Sequence, residues 1–286
     1  MSAESAVLNK LPAVSGVLNY LIPTGQKPVN YTFEPPPGVP YNSGSYESRS
    51  LPIHDGRAIA QQLSLDEQGF TLVRHRSAVS DFCNDEEVRR IYYPEARQLL
   101  AEATGAFKVI VFDHLVRKRD PEKTPLTFGR PRGGAVRGPV GRVHADFTPG
   151  SAPNRVRLEV GAEAEQLLQH RFAVINVWRA IRGPLLDAPL AVLDGSSVVP
   201  SDLVASDLVY PTRTGETYSV SFNANHRWFY FSAMREDEAL LLKNYDSATS
   251  VRARLAPHSA FEDPTAPPDA PPRESIELRA FVFYPD

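Results

Sequence analysis

The chain has 286 residues, with 31 Lys and Arg against 34 Asp and Glu and a net charge of -3 at pH 7. With 42% hydrophobic and 23% charged residues, its composition excludes whole-chain disorder, collagen-like repeats and coiled coil. The charge balance argues against nucleic acid or an anionic membrane as partner, and the longest apolar run, Ala280 to Tyr284, is far shorter than the ~20 residues of a membrane span.

Residues 1–50 predict an irregular arm. The stretch YTFEPPPGVPYNSGSYESRS is built of turn residues with little periodicity, yet Tyr31, Phe33, Tyr41 and Tyr46 suit an arm that wraps the domain better than a free tail. A helical front end is expected over 51–106. Residues 55–63 and 84–103 carry its helices, with Asn84 as a cap, Pro94 opening a new helix and Gly105 as a C-terminal stop.

From residue 107 the texture changes. FKVIVFDHLVR is rich in β-branched and aromatic residues. A helical insert is expected near 151–169, clearest in EAEQLLQ. Then come FAVINVWRAI, PLAVLD, TYSVSFNA, RWFYFSA, ALLLKNYD and SIELRAFVFYP, strand-like segments joined by loops. The 26 prolines, ~9% of the chain against an average of ~5%, also suit β structure with long ordered loops. The expected fold is a single domain, mainly β with flanking helices, its front end packed on a β-sandwich or barrel.

Several mechanisms are excluded by what is missing. The chain has no GxxxxGK[ST], no GxGxxG and no GxSxG. One cysteine cannot build a thiolate-rich zinc site. RGGAVRGPVGR at 132–142 follows no strand–helix unit, so it reads as a mobile loop rather than a phosphate cradle.

His144-Ala145-Asp146 is the one His-x-acid motif. By itself it carries little, because seven histidines and 34 acids make one such pair expected by chance. Its physics is more informative. On a strand, positions i and i+2 share a side, so a neutral imidazole and a carboxylate two apart can grip one metal. A second, distant histidine completes the two-His-one-carboxylate set that leaves Fe(II) open positions. His258 in APHSAF is the candidate, with His226 in NANHRWFYF as its rival. Arg273-Glu274-Ser275 opens the last strand. A guanidinium fork there suits a carboxylate such as that of 2-oxoglutarate, with Ser275 sharing the contact. Arg279 competes with Arg273, because 273, 275, 277 and 279 share one face of an unbroken strand.

The phrases YYPEA (92–96), FDHLVR (112–117), VHADFTPGSAPNRV (143–156), RFAVINVWRAIRGPLLDAPLAVLD (171–194), HRWFYF (226–231), EALLLKNYDS (238–247), PHSAF (257–261) and PPRESIELRAFVF (271–283) run in one order along about two thirds of the chain. In them the chain resembles the hydroxylase/desaturase family that includes the cephem methoxylase small subunit and gibberellin-desaturase-like fungal enzymes. The resemblance implies a double-stranded β-helix (jelly-roll, cupin-like) core and a non-haem oxygenase that uses Fe(II), 2-oxoglutarate and O2. It carries His144, Asp146 and His258 over as metal ligands, and Arg273 with Ser275 as co-substrate anchors. Two positions depart from the family pattern: Ala180 stands where Pro usually follows Trp-Arg, and HSAF stands for an HTAF-like motif. Neither touches a proposed ligand.

Further candidates stay open at this level. Asn176 and Arg179, in NVWR, either orient the co-substrate or seal the barrel end. His114 is either a core histidine or a substrate contact, and Arg117 on the same strand is a candidate substrate contact. His226 and Trp228 either line the substrate pocket or are structural. Cys83, beside acidic residues, reads as inert. The expected activity is hydroxylation or desaturation of an aliphatic carbon in a small secondary-metabolite-type molecule. Two rivals are a non-catalytic partner of another biosynthetic enzyme and a cupin-like metal enzyme that does not use 2-oxoglutarate. One cysteine and a first twenty residues with no basic start before an apolar core point to the cytosol.

Overall fold

Residues 8, 10–120, 122, 126 and 137–285 are described by the computed structural model; residues 132–136 of the glycine-rich loop lie outside them. FAVINVWRA is buried at every position, as a strand covered on both faces must be. It is the centre of a five-stranded antiparallel sheet. In spatial order the members are β4 (Phe70–Arg74), β12 (Glu238–Asp246), β7 (Phe172–Ala180), β14 (Glu274–Phe283) and β5 (Lys108–Lys118).

The second sheet has nine strands. Their spatial order is β1 (Ala13–Ile22), β3 (Ser45–Asp55), β11 (Trp228–Tyr230), β8 (Leu190–Leu193), β13 (His258–Ala260), β6 (His144–Ala145), β10 (Thr214–Val220), β9 (Leu203–Val209) and β2 (Val29–Tyr31). It curls on itself, because Leu21 at the end of β1 bridges Ser221 beyond β10. The two sheets form a jelly roll.

Alternation along β7 assigns its faces. Ala173, Ile175 and Val177 pack outward on Tyr92, Ala96 and Leu100 of the front helices. Phe172 and Val174 pack on Ala152, Val156 and Leu167 of the helical insert, and Trp178 and Ala180 enter a cluster between the sheets with Leu190, Val192 and Phe229. Asn176 sits between the two. Between these two apolar clusters Asn176 puts a polar side chain beside Asp146, and this polar stretch holds the site.

The front-end helices follow their local signals. The Asn84 side chain accepts from the Glu87 amide, and helix runs from Asp85 through a π turn into α1 (Tyr93–Thr104). Pro94 lies in the first turn of α1, although the helix does not begin anew there. Gly105 ends it with φ 68°, a left-handed value that glycine adopts without strain. In the insert the longer helix is α2 (Ser151–Val160), ahead of the EAEQLLQ stretch.

The arm is a correction. Within residues 1–50 the chain forms β1, β2 and the start of β3, and β3 runs on through Asp55. Strands β1 and β3 pair over ten residues, from Ala13↔His54 to Ile22↔Ser45. Leu18, Tyr20 and Ile53 from this hairpin pack against Ala191, Leu193 and Trp228 on the back of the large sheet. The outward face of β3 is polar and largely exposed, so composition alone made the segment look irregular. The front end is also less helical than expected, since β4 lies within it.

Candidate metal centre

Strand β6 is two residues long. His144 faces His258 of β13 on one side and Ser219 of β10 on the other. The two imidazoles lie 4.4 Å apart between centroids. Asp146 follows at the bend after the strand, and its amide donates to Asn244 Oδ1 at 3.1 Å. One ligand atom from each of His144, Asp146 and His258 falls within 4.8 Å of the others.

Hydrogen bonds aim these atoms. His144 Nδ1 donates to the Arg142 carbonyl at 2.9 Å, and His258 Nδ1 faces the Ala256 carbonyl at 3.4 Å. This tautomer leaves both Nε2 atoms for a metal. Asp146 Oδ2 accepts from Asn176 Nδ2 at 3.0 Å and Arg279 Nε at 3.4 Å. Its Oδ1 lies 3.7 Å from His144 Nε2. Burial, then the neighbouring His258 and Arg142, holds His144 well below the ordinary histidine value. Burial raises Asp146, but Arg279 and the two imidazoles outweigh it and hold the carboxyl well below the carboxylate range. Two imidazoles with free Nε2 atoms and one ionised carboxylate fit Fe(II) with positions left open.

Arg279 of β14 and Arg273, the residue just before that strand, differ in what they touch. Both point between the sheets. Arg279 meets Asp113 at 3.2 Å, Asp146 at 3.4 Å and also Glu277. Burial opposes its charge, yet these carboxylates raise its pKa. Arg273 is 2% exposed. Its Nε donates to Ser275 Oγ at 3.0 Å, its Nη1 donates to the Ala188 carbonyl at 2.9 Å, and its guanidinium lies 5.0 Å from the Trp178 ring centroid. Among the described residues no carboxylate forms an ion pair with its side chain. Burial, then Arg117, pulls its pKa down to about 9. A buried guanidinium without a counter-ion fits the far carboxylate of 2-oxoglutarate.

A cleft of about 890 Å³ opens beside the triad, lined by His144, Asp146, Arg117, Phe147, Leu208 and Tyr210 among others. Arg117 lies opposite Ser275 and donates to the Gly138 carbonyl at 3.0 Å. Three candidates are placed elsewhere, and a fourth, His114, turns its ring away from the cleft it borders. Arg179 is on the outward face of β7, where Nη2 meets His75 Nδ1 at 2.6 Å and the guanidinium covers the Tyr92 ring. His114 borders the cleft, but its ring turns to the front helices, 3.0 Å from Tyr93 Oη and 3.4 Å from Asp85. His226 and Trp228 belong to a closed network with Tyr20 and Asp202 behind the large sheet.

Two residues near the site were not expected. Asn244 lies where β12 shifts register against β7, a bulge without a sequence signature. Arg142 has a signal: it stands two residues before His144, the same spacing that singles out Asp146.

The family model described as Oxidoreductase/YMDC permease-like domain matches residues 18–283. Among the described residues no helix is long and apolar enough to cross a membrane. The Fe(II)/2-oxoglutarate-dependent dioxygenase nvfI of Aspergillus novofumigatus is 34% identical over 266 residues, covering 88% of this chain and 90% of that one. The hydroxylase/desaturase efuI of Hormonema carpetanum is 36% identical over 256 residues, covering 84% and 85%. A solved structure of the iron and alpha-ketoglutarate-dependent endoperoxidase NvfI superposes with a TM-score of 0.86 at 29% identity, over 97% of this chain and 100% of the other. With its His144–Asp146–His258 cluster set in the same fold, the chain belongs to the hydroxylase/desaturase-type family of Fe(II)/2-oxoglutarate-dependent dioxygenases.

Proposed function

We propose that the chain hydroxylates or desaturates an aliphatic carbon of a small molecule held in the cleft, with Arg273 and Ser275 anchoring the far carboxylate of 2-oxoglutarate. The observation that carries the anchor is Arg273 itself, buried and without a carboxylate partner among the described residues, while Arg279 is already held by three acids. When bound, iron with 2-oxoglutarate and O2 supplies the oxidant that attacks an unactivated C–H bond.

The protein's share is positional. His144 and Asp146 meet at the end of β6, and His258 comes from its neighbour β13. Asn176 and Arg279 fix the far oxygen of Asp146. The apolar cluster between the sheets, with Trp178, Val192 and Phe229, keeps water out on one side of the site. An aliphatic carbon offers no acidic proton, so no proton shuttle is needed. Both sheets draw strands from early and late in the chain, which favours one oxygenase domain. The single cysteine, Cys83, is exposed and suits a reducing cytosol. A non-catalytic helper has no use for a complete ligand set, and an enzyme independent of 2-oxoglutarate has no use for the buried Arg273.

Removing one side of a buried charged pair typically costs ~3–5 kcal/mol, or about two to four decades of affinity. Arg273→Ala should raise the apparent 2-oxoglutarate constant by that factor and spare iron binding. Arg273→Lys should do little better, because an ammonium cannot reproduce the fork. Succinate formation against 2-oxoglutarate concentration measures both. A large shift in Arg279→Ala with none in Arg273→Ala moves the anchor to Arg279, and no shift in either removes 2-oxoglutarate from the proposal.

A further inference from the structure

We propose that Arg142, Asn30 and Thr217 form a second anion subsite, and that the substrate enters the cleft with a carboxylate bound there. The proposal rests on the reading of the cleft as the substrate pocket. All three residues line it together with His144 and Asp146. Each is at least nine-tenths buried: Arg142 is 6% exposed, Asn30 4% and Thr217 5%. Each also has a polar atom without a hydrogen-bond partner among the described residues, namely Arg142 Nε and Nη1, Asn30 Nδ2 and Thr217 Oγ1.

The orphaned atoms share a chemistry. Asn30 Oδ1 accepts from Asn42, which turns the amide so that Nδ2 is the atom left over. Guanidinium and amide N–H groups only donate, and the Thr217 hydroxyl can also donate. The missing partner is therefore an acceptor, and the buried guanidinium makes it an anionic one. One unpaired cation calls for one negative charge, which a carboxylate supplies. The acids of the cleft are engaged elsewhere. Asp113 and Asp146 meet Arg279, while Asp207 and Glu216 meet Lys27.

Register puts Asn30 and Thr217 on one wall, and Arg142 borders the same cleft two residues before His144. Asn30 lies beside Leu208, Thr217 beside Ser206, and Ser219 beside His144. With period-two alternation these residues share the face that carries the metal ligand. Arg273 immediately precedes β14 of the opposing sheet, so the two anchors serve different carboxylates.

The test uses Mn(II)-loaded protein saturated with 2-oxoglutarate and small probes that any such cleft admits: benzoate, its neutral isostere benzamide, and sodium chloride at matched ionic strength. Benzoate should raise the melting temperature in a saturable way, and benzamide and chloride should not. Arg142→Met should weaken benzoate binding by about tenfold or more. Thr217→Val, which keeps the shape, should weaken it less while leaving the fold intact. The subsite is overturned if benzoate does no more than benzamide or if Arg142→Met binds it as the wild type does. Competition between benzoate and 2-oxoglutarate in the wild type also overturns it, because the site would then belong to the co-substrate. Failure of the underlying reading is visible separately, as loss of Mn(II)-dependent 2-oxoglutarate binding in the wild type without benzoate.

Discussion

The protein buries two histidine–aspartate pairs and treats them in opposite ways. Behind the large sheet, His226 Nε2 meets Asp202 at 3.1 Å and Nδ1 meets Tyr20 Oη at 3.0 Å, while Trp228 Nε1 donates to the same hydroxyl at 2.7 Å. Asp202 also accepts from the Val199 amide and from Asn223. Every ring nitrogen there has a protein partner. Between the sheets, His144 and His258 each turn Nδ1 to a backbone carbonyl and bring Nε2 toward Asp146. The closed network ties strands β1 and β11 of the large sheet to its loops, and the open one binds. What separates a structural histidine from a ligand here is the second nitrogen, not burial, since both kinds are buried.

The largest effect that tests this contrast is Asp146→Ala, which should abolish succinate formation because two imidazoles alone hold Fe(II) poorly; a variant that keeps most of the wild-type rate would break the assignment. Next comes Arg279→Ala. Its guanidinium steadies Asp146 Oδ2, so its loss should weaken iron binding by about 10–100-fold and leave the 2-oxoglutarate constant near its wild-type value. An iron titration beside a co-substrate titration separates the two effects. His226→Ala belongs to the other region. It should lower stability by about 1–3 kcal/mol, since Asp202 and Tyr20 lose a buried partner, with iron affinity unchanged.

The smallest effect concerns pH. Burial holds His226 below its ordinary value of 6.5, against the opposing pull of Asp202. The folded state therefore refuses a proton that the unfolded state accepts. This histidine's share of stability is complete above 6.5 and falls as pH drops below it. His226→Gln should flatten that part of the acid limb in urea midpoints taken from neutral to mildly acidic pH. An unchanged slope would show that the ring protonates freely in the folded protein.

The ligands were legible because their signals are local or carried by phrases of the family. His144 and Asp146 stand two apart, and His258 was placed by PHSAF. The choice between Arg273 and Arg279 was not legible, since alternation puts both on one face and only their neighbours differ. Arg179 was misplaced for a related reason. It follows Asn176 by three residues on β7, and an odd separation sends the two side chains to opposite faces. Strand β1 was hidden by its glycine and by the proline-rich stretch after it, although VLNYLI alternates in burial around Leu18 and Tyr20. Asn244 depends on a bulge, which arises from pairing between distant strands.

The most direct measurement is the visible absorbance of the protein under anaerobic Fe(II) as 2-oxoglutarate is added. A metal-to-ligand charge-transfer band requires the iron site and the chelating co-substrate together. Wild type and His226→Ala should both develop it, while His258→Ala and Asp146→Ala should not. A band that survives in His258→Ala and vanishes in His226→Ala would contradict the account.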